Sequence, residues 1–362
     1  MRIATVVTSL GIGGAEKQAL AIAERMAARG HEVVVVALMR QLAAEWPTHL
    51  PVVRLMMRRS PVSAAAGWLR GWRCLRGFRP DVLHSHSFHA NLLTRLIAAA
   101  MPRAAVISTV HNVYEGGRLR MAAYRLTDGC SRRTVAVSRA AAERFVRLGA
   151  IPAEKCLVRT NGIDTAEFAP DAARRARTRE AMGAGSRFVW LSAGRVTPAK
   201  DFPNLIAAFE LLRGEAPETE LWIAGAASET AELPAGATDN GHVRRLGLRR
   251  DVAALMDAAD GFALGSAWEG MPLVIGEAMA MEKPVVATDV GGVRELAGDA
   301  AAVVPAKAPD ALAEAMLSVM RRSREEQAGA GWAARQRILR EFSIEAAADW
   351  WEQLYRSLVG DR

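Results

Sequence analysis

Short runs of β-branched and other apolar residues alternate with segments whose apolar positions recur at helical spacing, from the first residues onward. Ile3–Thr8 reads as a strand, Ala15–Arg29 as a helix and Glu32–Leu38 as a strand, the order of a parallel βαβ unit. Further strands fit Pro51–Leu55, Asp81–His84, Ala105–Val110, Thr134–Val137 and Cys156–Arg159, with helices between most of them. Asn161-Gly162 and Pro170 then punctuate the chain, which places a linker near residues 160–172. An arginine-rich helix, Ala172–Met182, precedes a second series of strands at Phe188–Ala193, Glu220–Ala224, His242–Arg244, Gly261–Leu264, Pro284–Ala287 and Ala301–Val304. Helices from Asp310 to Arg340 follow. A final one, Ser343–Leu358, carries Trp350, Trp351 and Tyr355 and is long enough to return to the first half. The pattern predicts two doubly wound α/β domains, residues 1–165 and 166–342, with residues 343–362 crossing back. A crevice outside the carboxyl ends of the strands is the usual ligand position in such folds.

The 362 residues are 51% apolar, enough for two cores, which excludes a disordered or disulfide-stapled chain. Apolar runs such as Leu96–Met101 fall far short of the roughly 18 to 20 residues that cross a bilayer. The opening MRIATVVTSLGIGGAEK reads as a buried first strand rather than a signal peptide, so a cytoplasmic location is expected. Cys74, Cys130 and Cys156 are odd in number and widely spaced, which predicts reduced, mostly buried thiols. The net charge of +8 is unevenly placed: residues 51–150 hold 17 arginines, no lysine and only 4 acids. Such a field attracts nucleic acid, anionic lipid or phosphorylated substrates. Its sharpest piece is Trp68–Pro80, where Arg70, Arg73, Arg76 and Arg79 recur beside Trp68, Trp72 and Phe78. Two readings stand there, a helix lying on an anionic membrane and an ordinary solvated helix face.

Three segments carry candidate chemistry. Gly11-Ile-Gly13-Gly14-Ala-Glu16 follows the first strand and opens the first helix, where backbone amides approach an anion; the alternative is a tight turn that binds nothing. A dinucleotide fingerprint would need glycine at Glu16 and an acid at the end of strand two, which reads Leu38-Met39-Arg40, so a nicotinamide cofactor is disfavoured. Arg195 and Lys200 follow the first strand of the second half, a fork and a point charge able to neutralise a diphosphate. Third comes Gly265 to Met279, with Glu269 in a loop, Pro272 at the expected first position of a helix, and Glu277 inside that apolar helix. A carboxylate there is costly unless it has hydroxyl partners. Together these point to a nucleotide sugar. With no Asp-x-Asp pair in the chain, protein cations are expected to replace a metal at the diphosphate.

The ensemble resembles the retaining glycosyltransferases of family 4, which have the two-domain GT-B fold. It does so through GGAEK at 13–17, HSHSFHANLLTR at 84–95, TVHN at 109–112, VSRA at 137–140, NGID at 161–164, AGRVTPAKDF at 193–202, EGMPLVIGEAM at 269–279 and PVVATDVGG at 284–292. The resemblance implies that Gly13 and Gly14 approach the donor diphosphate and that Arg195 and Lys200 hold it. Glu269 would bind a sugar hydroxyl, the amides of Gly270, Met271 and Leu273 the sugar and diphosphate, and Glu277 the ribose. His111 corresponds to the family's active-site histidine, completing a catalytic set of His111, Glu269, Arg195 and Lys200. His84, His86 and His89 have a spacing seen in some zinc sites. The preferred reading holds no metal: it sets His84 or His86 at a strand end near the acceptor, with Asn91 capping or lining the cleft.

The expected reaction is metal-independent, cofactor-free transfer of a hexosyl unit, with retention, from a nucleoside-diphosphate sugar to an acceptor hydroxyl. UDP is favoured by family frequency. The basic segment and HSHSFHAN favour a lipid-linked or polysaccharide-precursor acceptor at the inner face of the membrane, with Arg70, Arg73, Arg76 and Arg79 on its surface. The alternatives are a soluble small acceptor, a nucleotide-sugar epimerase of related fold and, least favoured for want of any binding motif, a nucleic-acid-binding protein.

Overall fold

The computed structural model describes residues 1–39, 45–58, 60–226 and 241–360; Arg40, at the expected end of the second strand, lies outside them. They form two compact units, one of Met1–Gly162 together with the chain from Ile344, the other of Ile163–Ser343.

The first unit contains β1 (Arg2–Val7), α1 (Gly14–Ala28), β2 (Glu32–Met39), β3 (Val52–Met57), α2 (Pro61–Phe78), β4 (Val82–His86), α3 (Phe88–Ala98), β5 (Ala105–Val110), α4 (Arg118–Thr127), β6 (Arg133–Ala136), α5 (Arg139–Arg147) and β7 (Cys156–Val158). The second contains α6 (Ala172–Ala181), β8 (Phe188–Ala193), α7 (Phe202–Glu215), β9 (Thr219–Ala224), β10 (Val243–Gly247), α8 (Val252–Ala258), β11 (Gly261–Leu264), α9 (Leu273–Ala280), β12 (Val285–Thr288), α10 (Val293–Ala297), β13 (Ala302–Val304), α11 (Pro309–Met320) and α12 (Arg324–Glu341); α13 (Ile344–Gly360) belongs to the first. Both sheets are parallel, in the orders β3-β2-β1-β4-β5-β6-β7 and β10-β9-β8-β11-β12-β13.

Burial of both sheet faces explains why the strands read as nearly unbroken apolar runs. Alternate residues then serve opposite layers. Ile3, Val82, Ile107 and Val135 pack on Met26 of α1 and on Trp351 and Tyr355 of α13, whereas Ala4, Leu83 and Val106 pack on Leu75 of α2 and Ile97 of α3. Right-handed crossovers account for this division, since the chain runs one way from β1 to β2 and the other way from β3 through β7. Gly162 sits so close to α13 that a Cβ on it would meet Ile344 Cα at 2.7 Å and Ala347 Cβ at 2.8 Å. Its N–H donates to Gln18 Oε1 at 3.1 Å.

The arginine-rich α6 has a structural task. Arg175 donates to the carbonyls of Asp257 and Ala259 at 2.6 and 2.7 Å, Arg179 to Ala258 O at 2.8 Å, and Arg174 pairs with Asp257. These cations satisfy the carbonyls at the end of α8 and of the turn behind it. On α2, Ser60 Oγ accepts the Ser63 N–H ahead of Pro61. Each three-residue step turns about −60° around a helix, so Arg70, Arg73 and Arg76 of α2 spread over an arc of about 120°. Arg79 lies past the helix end in the left-handed region, at φ 51°. All four are exposed. Trp68 and Trp72, by contrast, stack on each other and pack against the core. The three cysteines are free, and half-buried rather than buried. Among the described residues no helix is long and apolar enough to cross a membrane.

A buried polar bracket ties β5, β6, α3 and α4. Arg95, fully buried, donates to Ser108 Oγ, Tyr124 O and Thr134 Oγ1 at 3.0, 3.0 and 2.8 Å. Tyr124 Oη donates to Glu115 Oε2 at 2.6 Å, and Glu115 Oε1 accepts the His111 N–H at 3.1 Å. Burial pushes the Glu115 carboxyl up from 4.5 to about 7, against the pull of these two hydrogen bonds.

Two outcomes follow from this packing. Gly162→Ala should destabilise the chain by about 1 to 3 kcal/mol, because a backbone atom has to yield; an unchanged urea midpoint would show that α13 can retreat freely. The raised Glu115 value means the folded state holds the proton more tightly, so its stabilising contribution is full below the unfolded value near 4.5 and is lost as pH rises through about 7. Urea titrations across that window should show wild type losing on the order of 3 kcal/mol relative to Glu115→Gln. Parallel stability curves for the two proteins would contradict the assignment.

Candidate active site

In the second sheet the strand order reverses at β8, with β9 and β10 to one side and β11 to β13 to the other. Adjacent chains leave β8 and β11 toward opposite layers, which opens a crevice at their carboxyl ends. Arg195 and Lys200 lie on the loop after β8, and Ser266 and Glu269 on the loop after β11. The two loops are joined by backbone, as the amides of Ala267 and Trp268 donate to Ala199 O at 2.8 and 3.4 Å.

Glu269, 8% exposed, has its Oε1 2.7 Å from Lys200 Nζ and 2.7 Å from the donating Ser266 Oγ. The expected division, Lys200 to the diphosphate and Glu269 to a sugar hydroxyl, is therefore modified: the ammonium compensates the carboxylate it bonds. Glu269 Oε2 has no hydrogen-bond partner among the described residues and keeps its acceptor capacity. Ser266, itself fully buried, is held by its carbonyl, which accepts Thr288 Oγ1–H at 2.7 Å. Arg195 is exposed and its guanidinium has no protein partner among the described residues. Thus one cation is bound into the carboxylate and the other is free to reach.

The next turn opens α9. Pro272 is its N-cap rather than its first residue, so the helix starts at Leu273 with backbone amides that have no intrahelical acceptor. Gly270, Met271 and Leu273 are buried around this turn, and Glu277 lies in the second turn, 5% exposed. Gly292 N–H donates to Gly270 O at 2.8 Å. Gly291, at φ 55°, approaches so closely that a Cβ would stand 2.0 Å from Glu269 O. Only glycine fits there. Sequence reasoning quoted this glycine pair without a role and missed Ser266 and Thr288; a short polar residue just after β11 and another at the end of β12 were the available signal.

In the first unit the strand order reverses at β1. Gly13, extended at φ −155°, is the N-cap of α1 and Gly14 its first residue, with no side-chain cap on the end amides among the described residues. His86 ends β4 and His111 follows β5, with His86 Nδ1 3.0 Å from His111 Nε2. Burial lowers His111 to about 4 and holds His86 well below its ordinary value, so both rings are neutral near pH 7. His111 Nδ1 and His86 Nε2 are buried with no partner among the described residues, a costly state for polar nitrogens.

Two acceptor-side expectations are corrected. His84 bonds Tyr355 Oη at 2.6 Å and Thr109 Oγ1 at 2.7 Å with its two ring nitrogens; burial lowers it to about 3, and it works as a core link between β4, β5 and α13. Those bonds occupy both nitrogens, which also removes it from a zinc site. Asn91 is fully buried within α3. It accepts Ser85 Oγ–H at 2.8 Å and donates to Thr109 O and Tyr124 Oη, so it lines no cleft.

Residues 12–167 match the profile described as Glycosyltransferase Family 4, and residues 187–322 that described as Glycosyl transferases group 1. The chain is 24% identical over 235 residues, 61% of each chain, to a UDP-Gal:alpha-D-GlcNAc-diphosphoundecaprenol alpha-1,3-galactosyltransferase of Escherichia coli. It is 36% identical over 169 residues, 43% of this chain and 44% of the other, to a GDP-mannose-dependent alpha-(1-6)-phosphatidylinositol monomannoside mannosyltransferase of Mycolicibacterium smegmatis. The chain thus spans less than two thirds of either relative. The crystal structure of Anabaena HepE in complex with UDP and glucose superposes with a TM-score of 0.84 at 20% identity, covering 99% of this chain and 100% of that one. The two α/β units of this GT-B fold are each matched by their own profile, and the chain belongs to glycosyltransferase family 4.

Proposed function

We propose that the protein transfers a hexosyl unit from a nucleoside-diphosphate sugar, of which UDP-sugars are favoured, to a hydroxyl of a lipid-linked or polysaccharide-precursor acceptor, with retention at the anomeric carbon. The observation that carries this reading is the Lys200–Glu269 pair at the strand-order reversal beside the start of α9. Support for the donor class comes from the relatives, whose names specify UDP-Gal and GDP-mannose; support for the acceptor class comes from the same names, which specify lipid-linked saccharides.

Glu269 Oε2 accepts a hydroxyl of the transferred sugar, while Lys200 bonds the other oxygen and adds positive charge beside the diphosphate. Arg195 and the free amides at the start of α9 take the phosphate oxygens, and Glu277 the ribose hydroxyls. As the anomeric C–O bond breaks, negative charge grows on the leaving diphosphate. Fixed cations and amide dipoles stabilise it there without reorganising. The acceptor oxygen attacks from the same face and passes its proton to a departing phosphate oxygen. Protein cations serve where other transferases place a metal ion. By the family resemblance, His111 and the glycine turn at Gly13 and Gly14 are the candidate residues of the first unit.

Arg195→Ala and Lys200→Ala should each lower turnover by about tenfold to a thousandfold, the scale of a lost charged hydrogen bond. Steady-state transfer assays check this, and near-wild-type rates in both variants would remove the diphosphate assignment. Transfer should also persist in excess chelator; loss of activity restored by manganese would overturn the metal-free reading. Release of an epimerised nucleotide sugar without acceptor would identify an epimerase instead.

A further inference from the structure

The seven-stranded sheet carries two helical layers of opposite electrical character. On the α1–α13 side charges are paired: Arg25 meets Glu345 at 3.0 Å, and Arg29 meets Asp349 and Glu352 at 2.7 and 2.9 Å. On the α2–α5 side, Arg70, Arg73, Arg118, Arg125 and Arg147 are exposed and pair with no carboxylate among the described residues. Between Tyr114 and Leu148 alone there are eight arginines and three acids. Of those acids Glu115 is half-buried and Asp128 buried, each held by its own bonds, leaving Glu143 as the exposed one.

Large apolar side chains stand among these cations. Leu119 is 89% exposed and Leu126 85% exposed, and with exposed Ala122 between them they form one face of α4 at spacings of three and four residues. Beside that helix lies a cavity of about 450 Å³, lined by apolar Tyr114, Met121 and Leu148 and by Arg118, Arg125 and Arg144. An exposed leucine needs no explanation by itself; two on one helix face, next to an apolar cavity rimmed with unpaired guanidinium groups, mark an interaction surface. Its chemistry selects the occupant. A second copy of this surface would bring like charges together. Nucleic acid would engage the arginines but offers nothing to the leucines, and the nearby Trp68 and Trp72 are packed rather than presented for stacking. A leaflet rich in acidic phospholipid matches both features, with acyl chains for the leucines and phosphates for the guanidinium groups.

We propose that α4 docks the protein on an anionic membrane surface, Leu119 and Leu126 entering the acyl boundary while arginines of α2, α4 and α5 hold lipid phosphates. This deepens the lipid-linked-acceptor reading and rests on it for its purpose. The α2 arginines become the outer part of a wider surface whose apolar centre is α4.

Sedimentation of the full chain with phosphatidylcholine vesicles, with and without phosphatidylglycerol, tests it. Binding should require the acidic lipid and should fall steeply between about 0.1 M and about 0.5 M salt. The pair Leu119→Asp and Leu126→Asp should weaken it at least about tenfold, because two apolar side chains no longer leave water. The rise in melting temperature that UDP produces should be unchanged, and this reports that the variant is folded. Should the aspartates unfold the chain, Leu119→Ser with Leu126→Ser gives the same reading. No wild-type binding at low salt, or equal binding to neutral vesicles, overturns the proposal. Wild-type binding by the leucine variants overturns it too, even if Arg70→Gln with Arg73→Gln abolishes binding. A dimer that these leucine changes dissociate, without vesicle binding, would assign the face to a second copy and likewise overturn it. Vesicle binding without any response to nucleotide sugars would count against the proposed transfer and leave the docking surface standing.

Discussion

Each sheet in this chain reverses its strand order once, at β1 and at β8, and the functional geometry depends on that constraint. A right-handed crossover allows a parallel sheet to grow in both directions only if successive helices switch faces. Where they switch, the loops diverge and the strand ends are left uncovered. Glycines at 13 and 14, the loop with Arg195 and Lys200, and the loop with Ser266 and Glu269 all follow strands at or next to these reversals. Each candidate site is thus a consequence of the topology of its own sheet, filled in by a few polar residues.

Those polar residues are held by three kinds of support. Lys200 and Ser266 converge on one oxygen of Glu269, which leaves the other available. Gly291 and Gly292 clamp the backbone of the same loop by an approach no side chain would allow. In the first unit the loop bearing His111 is anchored through Glu115 and Tyr124 to a buried Arg95–Asn91 network. A buried cation bonded to hydroxyls and carbonyls is stable because each of its nitrogens finds an acceptor. The same economy appears in α6, where Arg175 and Arg179 close the carbonyl end of a neighbouring helix.

Charge asymmetry is the second organising feature. The arginine excess of residues 51–150 becomes a one-sided layer because the helices after β3 to β6 all pack on one face of the sheet, while α1 and α13 take the other and bring their own acids. Topology therefore separates paired from unpaired cations.

Strands and helices were legible in the linear pattern because two-residue and 3.6-residue periods survive any tertiary arrangement, and the positions of Arg195, Lys200, Glu269 and Glu277 were legible because they follow such strands. What the pattern could not convey was partnership. Lys200 and Glu269 are 69 residues apart and bond each other; His84 and Asn91, in a histidine-rich stretch that looks like a ligand cluster, are consumed by Tyr355, Thr109 and Tyr124. The evenly spaced arginines of α2 were visible in the linear pattern, whereas the exposed apolar face of α4 was not. Periodicity is local and so is written in the chain. Burial, hydrogen-bond satisfaction and the face that meets solvent depend on contacts between distant segments, and only the folded molecule decides them.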